Sequence, residues 1–189
     1  MEATSINTTD DVVTFLIEQH MRIRELFAEV AQAPTAEQRE QKFYELRRLL
    51  AVHETAEEEI IHPRFRREVH DGADIIKARL EEENKAKRQL ADIEAVDIDS
   101  PEFDAKLAAL REGVLAHADH EEHEEFNRLR SELEPDEMAR LRNAVKFAEA
   151  MAPTRPHPGV ESASANLLVG PFAAMMDRAK DAISKPRTK

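Results

Sequence analysis

Polar residues interrupt the apolar ladders of this chain at positions that a helix would bury. The clearest case is Leu50-Ala51-Val52-His53-Glu54-Thr55-Ala56-Glu57-Glu58, echoed by Val114-Leu115-Ala116-His117-Ala118-Asp119-His120-Glu121-Glu122. Each copy is entered from an apolar run and carries His-x-x-x-Glu-Glu. Residues four apart share a helix face, so His53 lies one turn from Glu57, and His117 one turn from Glu121. Two further stripes show the same interruption: Val13, Leu16, His20, Ile23, Phe27 and Val30, and Ile76, Leu80, Glu83, Lys87 and Leu90.

Burying one such polar group without a partner costs roughly 1–3 kcal/mol, and more if it is charged. A domain has only about 5–15 kcal/mol of net stability, so the set has to be compensated together. Divalent or trivalent cations do this well, since imidazole and carboxylate ligands suit iron, manganese or zinc. One His on an apolar face is usually just a hydrogen-bonded core residue, and one His-x-x-x-Glu is usually a surface pair. Two copies in register with apolar ladders, plus His20 in a third, favour a metal site. Glu57 and Glu121 then face each other as candidate bridges between two ions.

Composition sets the frame. Charged residues make up 35% of the 189, aromatics 5%, with no Trp and four Gly, which argues for helices and against a sandwich or barrel. The net charge of −12 lacks the basic footprint that nucleic acid requires. The chain has no Cys, so a metal site must use His and carboxylates. No signal-peptide order and no membrane-spanning run are evident, so no membrane partner is expected and a cytoplasmic location is the default.

The expected fold is all-α: an up-down-up-down four-helix bundle with additional C-terminal helices. Residues 1–9 read as a flexible N-terminus, 10–134 as the bundle and 135–189 as a helical extension. Thr35 with Gln38 resembles a capping box, and Ser100-Pro101 opens the fourth helix. Pro63 is expected to kink or break the second helix. The extension holds a fifth amphipathic helix (Met138, Leu141, Val145, Ala148), a Pro-rich loop at 152–159, and a short helix opened by Gly170-Pro171. Its apolar content suits packing on the bundle, on a second copy in a homodimer, or on another protein. His62 and His70 read as surface residues and His123 lies off the stripe, while His120 borders it and is either exposed or a support for a ligand. Glu54 and Glu58 read as solvated flanks that alternatively swing in as ligands.

With His20, His53-x-x-x-Glu57 and His117-x-x-x-Glu121, residues 10–134 resemble the hemerythrin family in its HHE cation-binding branch. The resemblance implies two iron ions, a di-iron centre bridged by Glu57, Glu121 and an oxo or hydroxo group. His20, His53 and His117 would be terminal ligands. It also implies a small-molecule ligand or substrate: oxygen, peroxide or nitric oxide, with catalase-like or peroxidase-like activity among the readings. A ferritin-like oxidase fits less well, since its Glu-x-x-His spacing occurs once, at Glu59–His62.

The chain departs from that pattern in the third helix, where no His lies between His70 and His117. Applying the repeat offset to His20 reaches Asn84, a poor iron ligand. Glu83 fits the stripe better and is the expected replacement, with Glu82 and Asn84 as alternatives. Lys87 either pairs with Glu83 or approaches the open side of the site. A carboxylate in place of imidazole favours ferric iron, which shifts the expectation from oxygen carriage toward peroxide or nitric oxide chemistry, iron storage or sensing. The competing readings are a non-catalytic sensor signalling through the C-terminal tail, and a structural zinc site.

Overall fold

The helix boundaries fall at capping side chains. In the computed structural model, which describes residues 11–151, Asp11 opens α1 (Val12–Gln32) by accepting the Thr14 N–H at 2.7 Å. Thr35 opens α2 (Ala36–Ala56) by accepting the Gln38 N–H at 3.3 Å. A π-helical turn, Glu57–Ile61, then leads without a break into α3 (His62–Glu68). Helix α4 (Gly72–Glu94) follows, two residues earlier than the Asp74 start the sequence suggests. Ser100 caps α5 (Pro101–His120) by accepting the Phe103 N–H at 3.1 Å, and a second π turn, Glu121–Phe126, passes into α6 (Asn127–Glu132). Helix α7 spans Pro135–Met151. No strand occurs among the described residues, and no helix there is long and apolar enough to cross a membrane.

Pro63 does not end the second rod. A proline ring clashes with the carbonyl four residues back, and the wider π turn before it moves that carbonyl away. The rod ends at the turn to α4, where Gly72 donates to Val69 O at 3.0 Å and His70 O at 2.7 Å. A Cβ at Gly72 would lie 2.7 Å from the Phe65 carbonyl, so this close approach requires glycine.

Helix α1 packs along α2, and α4 along α5; α1 also touches α5, and α7 lies across α1, α2 and the first π turn. The apolar interior forms two clusters. One joins Phe27, Leu46, Leu90, Phe103 and Leu110, the other Leu16, Ile61, Phe65, Ile76, Phe126 and Leu129. Met138, Val145 and Ala148 of α7 belong to the second cluster. Between the two clusters lies a slab of buried polar side chains, the interrupted rungs of the ladders. The capped start of α5 carries Phe103 into the first cluster, so Ser100→Ala should cost about 1 kcal/mol in urea unfolding. The expected Pro-rich loop, the Gly170-Pro171 helix and residues 1–9 lie outside the described residues.

Candidate metal centre

His20, His53, Glu57 and Glu121 each bring one ligand atom into a cluster no wider than 4.8 Å, and all four are buried. His20 Nε2 is 3.0 Å from His53 Nε2 and 3.3 Å from Glu121 Oε2, while His53 Nε2 is 3.3 Å from Glu57 Oε2. The His20 ring is stacked on Phe126 at 5.6 Å and meets His53 edge-on at 4.9 Å, so packing fixes its plane. A second cluster joins His62, Glu83 and Glu121. His62 Nε2 lies 3.6 Å from Glu83 Oε1 and 4.0 Å from Glu121 Oε1. Glu121 is therefore common to both clusters. His117 Nε2 stands 3.2 Å from Glu121 Oε1, at the edge of this arrangement.

The outer nitrogens of His20, His53 and His117 are occupied, whereas buried His62 has no hydrogen bond on either ring nitrogen. His20 donates its Nδ1–H to Glu122 at 2.9 Å, His53 to Gln19 at 2.8 Å and His117 to Glu82 at 3.0 Å. A proton held on Nδ1 leaves the Nε2 lone pair facing inward, the form in which histidine ligates a metal. Inside, both oxygens of Glu57 lack a hydrogen bond although the residue is fully buried. Buried polar atoms are rarely left so, and a cation between the carboxylates would satisfy them. The residues fit a metal centre.

The electrostatics agree. Burial, reinforced by Glu121 nearby, pushes the Glu57 carboxyl well above its usual range. Burial, with Glu58 adding to it, does the same to Glu83. Burial would also raise Glu121, but His117 and the hydrogen bonds around it hold that carboxyl well below its usual range. His117 is correspondingly held high: burial opposes its charge, and Glu121 outweighs burial. Burial, with His20 alongside, drives His53 down to about 3. In the metal-free site burial thus works against ionised Glu57 and Glu83 while Glu121 is held in the charged form, and bound cations would favour the ionised form of all three.

Several residues sit differently from their reading in the sequence. His62 is not on the surface but 1% exposed, because the π turn takes an extra residue and carries position 62 round to the inner face. Glu54 and Glu58 are buried and not solvated. They meet Lys87, which is paired closely with Glu58 and lies 3.8 Å from Glu54 and 3.9 Å from Glu83. Burial would lower the Lys87 ammonium, but those three carboxylates more than offset it and keep the charge. Glu82 is not turned to the cluster; it accepts from His117 and from His120, each at 3.0 Å. The Asn84 amide donates to Leu80 O at 2.9 Å. Glu125, fully buried and 3.5 Å from Arg79, was missed, though its spacing of one turn from Glu121 pointed to it. His70 and His123 are exposed, and His120, also exposed, meets both of its readings, since it holds the Glu82 that supports His117.

A cavity opens beside the cluster. His20, His53, Glu54, Glu83 and His117 line its polar side, and Ile23, Leu50, Ala86, Val114 and Leu115 the other.

Buried imidazoles with inward Nε2 atoms, unsatisfied carboxylates and two ladders of His-x-x-x-Glu define a helical protein with a cation-binding interior. The family model of the hemerythrin HHE cation binding domain matches residues 11–129. The chain belongs to that family. It is also 27% identical over 131 residues to a protein of Nostoc sp. (strain PCC 7120 / SAG 25.82 / UTEX 2576) named DNA nickase. That match covers 69% of this chain and 37% of the relative, so the chain spans well under half of the relative's length. No solved structure matches.

Proposed function

We propose that the chain is a di-iron protein of the up-down-up-down bundle type whose buried centre handles a small oxidant, peroxide, oxygen or nitric oxide. The observation that carries this reading is the sharing of Glu121 between two ligand clusters, with fully buried Glu57 unsatisfied beside it. His20, His53 and Glu57 would hold one ion; His62 and Glu83 would hold the other, with His117 beside it and Glu121 between them. Iron bound there would supply one-electron chemistry toward the ligand. The protein's own part is to orient the imidazoles, keep water out, and offer the apolar-backed cavity to a molecule of two or three atoms. Lys87 balances the charge of Glu54 and Glu58, which otherwise would compete for the ions. The activity in the relative's name is not carried over, since most of that protein lies outside the match.

Metal analysis with an optical spectrum tests the reading. Two irons per chain and a near-ultraviolet charge-transfer band altered by peroxide support it; one zinc and no band would sink it. Glu83 bears on the choice of oxidant. A carboxylate favours the ferric state, so Glu83→His should raise the reduction potential of the centre in a redox titration. An unchanged potential would remove the argument against oxygen carriage.

A sensor that signals through the C-terminal tail is the second reading, favoured by α7 lying across the first π turn. Limited proteolysis of residues 135–189 with and without iron separates the two, because tail sensitivity that ignores iron excludes the sensor.

A further inference from the structure

The histidines around Glu121 are not all supported alike. His20 donates its Nδ1–H to the carboxylate of Glu122, at 2.9 Å, and His117 donates to the carboxylate of Glu82, at 3.0 Å. A carboxylate accepts through either oxygen, so its orientation does not matter. His53 donates instead to a neutral amide, Gln19 Oε1, at 2.8 Å. An amide has a donor end and an acceptor end, and a half-turn about its last bond would present NH2 to the imidazole. His53 would then keep its proton on Nε2, the atom that faces the metal cluster.

The orientation of that amide is decided by α7. Gln19 Nε2 donates to Glu149 Oε1 at 2.5 Å, and Glu149, acceptor-only when ionised, cannot accommodate the reversed amide. Helix α7 is held in place for this by Met138, Val145 and Ala148 in the second apolar cluster, by Arg64 on Glu137 at 2.5 Å, and by Lys146 over the Phe15 ring at 5.1 Å. Residues 135–151 lie beyond the stretch that the family model matches.

We infer that Glu149 is a positioning residue of the metal centre: through Gln19 it sets the tautomer of His53 and so makes the C-terminal helix part of the site. The inference rests on the metal-binding reading above. Outer hydrogen bonds of this kind are worth about 10- to 100-fold in metal affinity, and Glu149 acts one bond further out.

The test is a two-residue cycle in the full chain. Glu149→Leu should weaken zinc or ferrous binding about 10-fold in a competition assay. In the 15N spectrum of the zinc-loaded, histidine-labelled protein, the His53 signal should lose its Nδ1-protonated character. Gln19→Glu has no amide to misorient, and Glu149→Leu removes the carboxylate it would face, so the double variant should bind metal as the parent does and keep the Nδ1-protonated His53 signal. The inference is overturned if Glu149→Leu binds as the parent does, or if Gln19→Glu fails to restore binding, which is also the outcome if Glu149→Leu merely loosens α7. A parent chain that takes up no metal at all refutes the metal reading itself, and so is told apart from failure of this inference.

Discussion

Replacing Glu121 with Gln should empty the centre of both ions, whereas Glu83→Ala should remove one. Glu121 is the residue common to the two clusters: Oε2 faces His20 at 3.3 Å, and Oε1 faces His117 at 3.2 Å and His62 at 4.0 Å. Glutamine keeps the volume but replaces one acceptor oxygen with a donor, so it can neither bridge nor neutralise two cations. Metal content per chain, measured after loading and desalting, should fall from two toward zero. The metal-free variant also loses the anion that holds His117 charged in a buried setting, and breaking such a pair typically costs about 3–5 kcal/mol. Its unfolding midpoint should therefore drop even with a chelator present. A variant that still holds two ions would show that Glu121 does not join the clusters.

The second large effect concerns pH. Between about pH 6.5 and 8 the metal-free protein should lose stability as pH rises, and the metal-loaded protein should not. Burial lifts Glu54 to about 7, against some relief from Lys87, and burial together with Glu121 lifts Glu125 to about 8. A carboxyl raised by folding contributes stability that is full below its unfolded value and lost as pH climbs through the folded one. His117 is raised too, so it adds a loss of the same sign above its ordinary value of 6.5. His53 is depressed, and its contribution has the opposite sign, but it acts between about 3 and 6.5 and is complete above that window. The slope is about 1.4 kcal/mol per pH unit for each group that keeps its proton only in the folded state. Denaturant midpoints with chelator and with iron, taken across this range, check it. Parallel flat lines would mean that these groups do not titrate with folding.

Much of this was legible in the residues. Thr35 and Ser100 marked helix starts because capping is local chemistry, and the 3.6-residue ladders gave the buried faces of α1, α4 and α5. His20, His53, Glu57, Glu83, His117 and Glu121 stood out because each interrupts an apolar stripe. What escaped was His62, because a π turn changes the register by which a stripe is read and nothing in Glu57–Ile61 announces one. The proline that follows looked like a reason to stop reading, while in the structure it sits where the widened turn tolerates it. Glu54 and Glu58 were misread for a different reason: their partner, Lys87, is on another helix, and charge pairing across helices has no signature in a single stretch. Glu149 escaped likewise, since its influence on His53 passes through Gln19.

The polar slab between the two apolar clusters has a mechanical side. A continuous core makes a domain melt as one piece, because each half needs the other to stay dry. Here the halves meet across carboxylates, imidazoles and the Lys87 ammonium, a seam in which Glu57 lacks hydrogen bonds and which cations would complete. Ions bound there as proposed would weld the seam, so that the two ends unfold together. If cations bind there as proposed, their removal should let the end holding α3, α6, α7 and the start of α1 open before the other end, so metal content would govern how many pieces this chain behaves as.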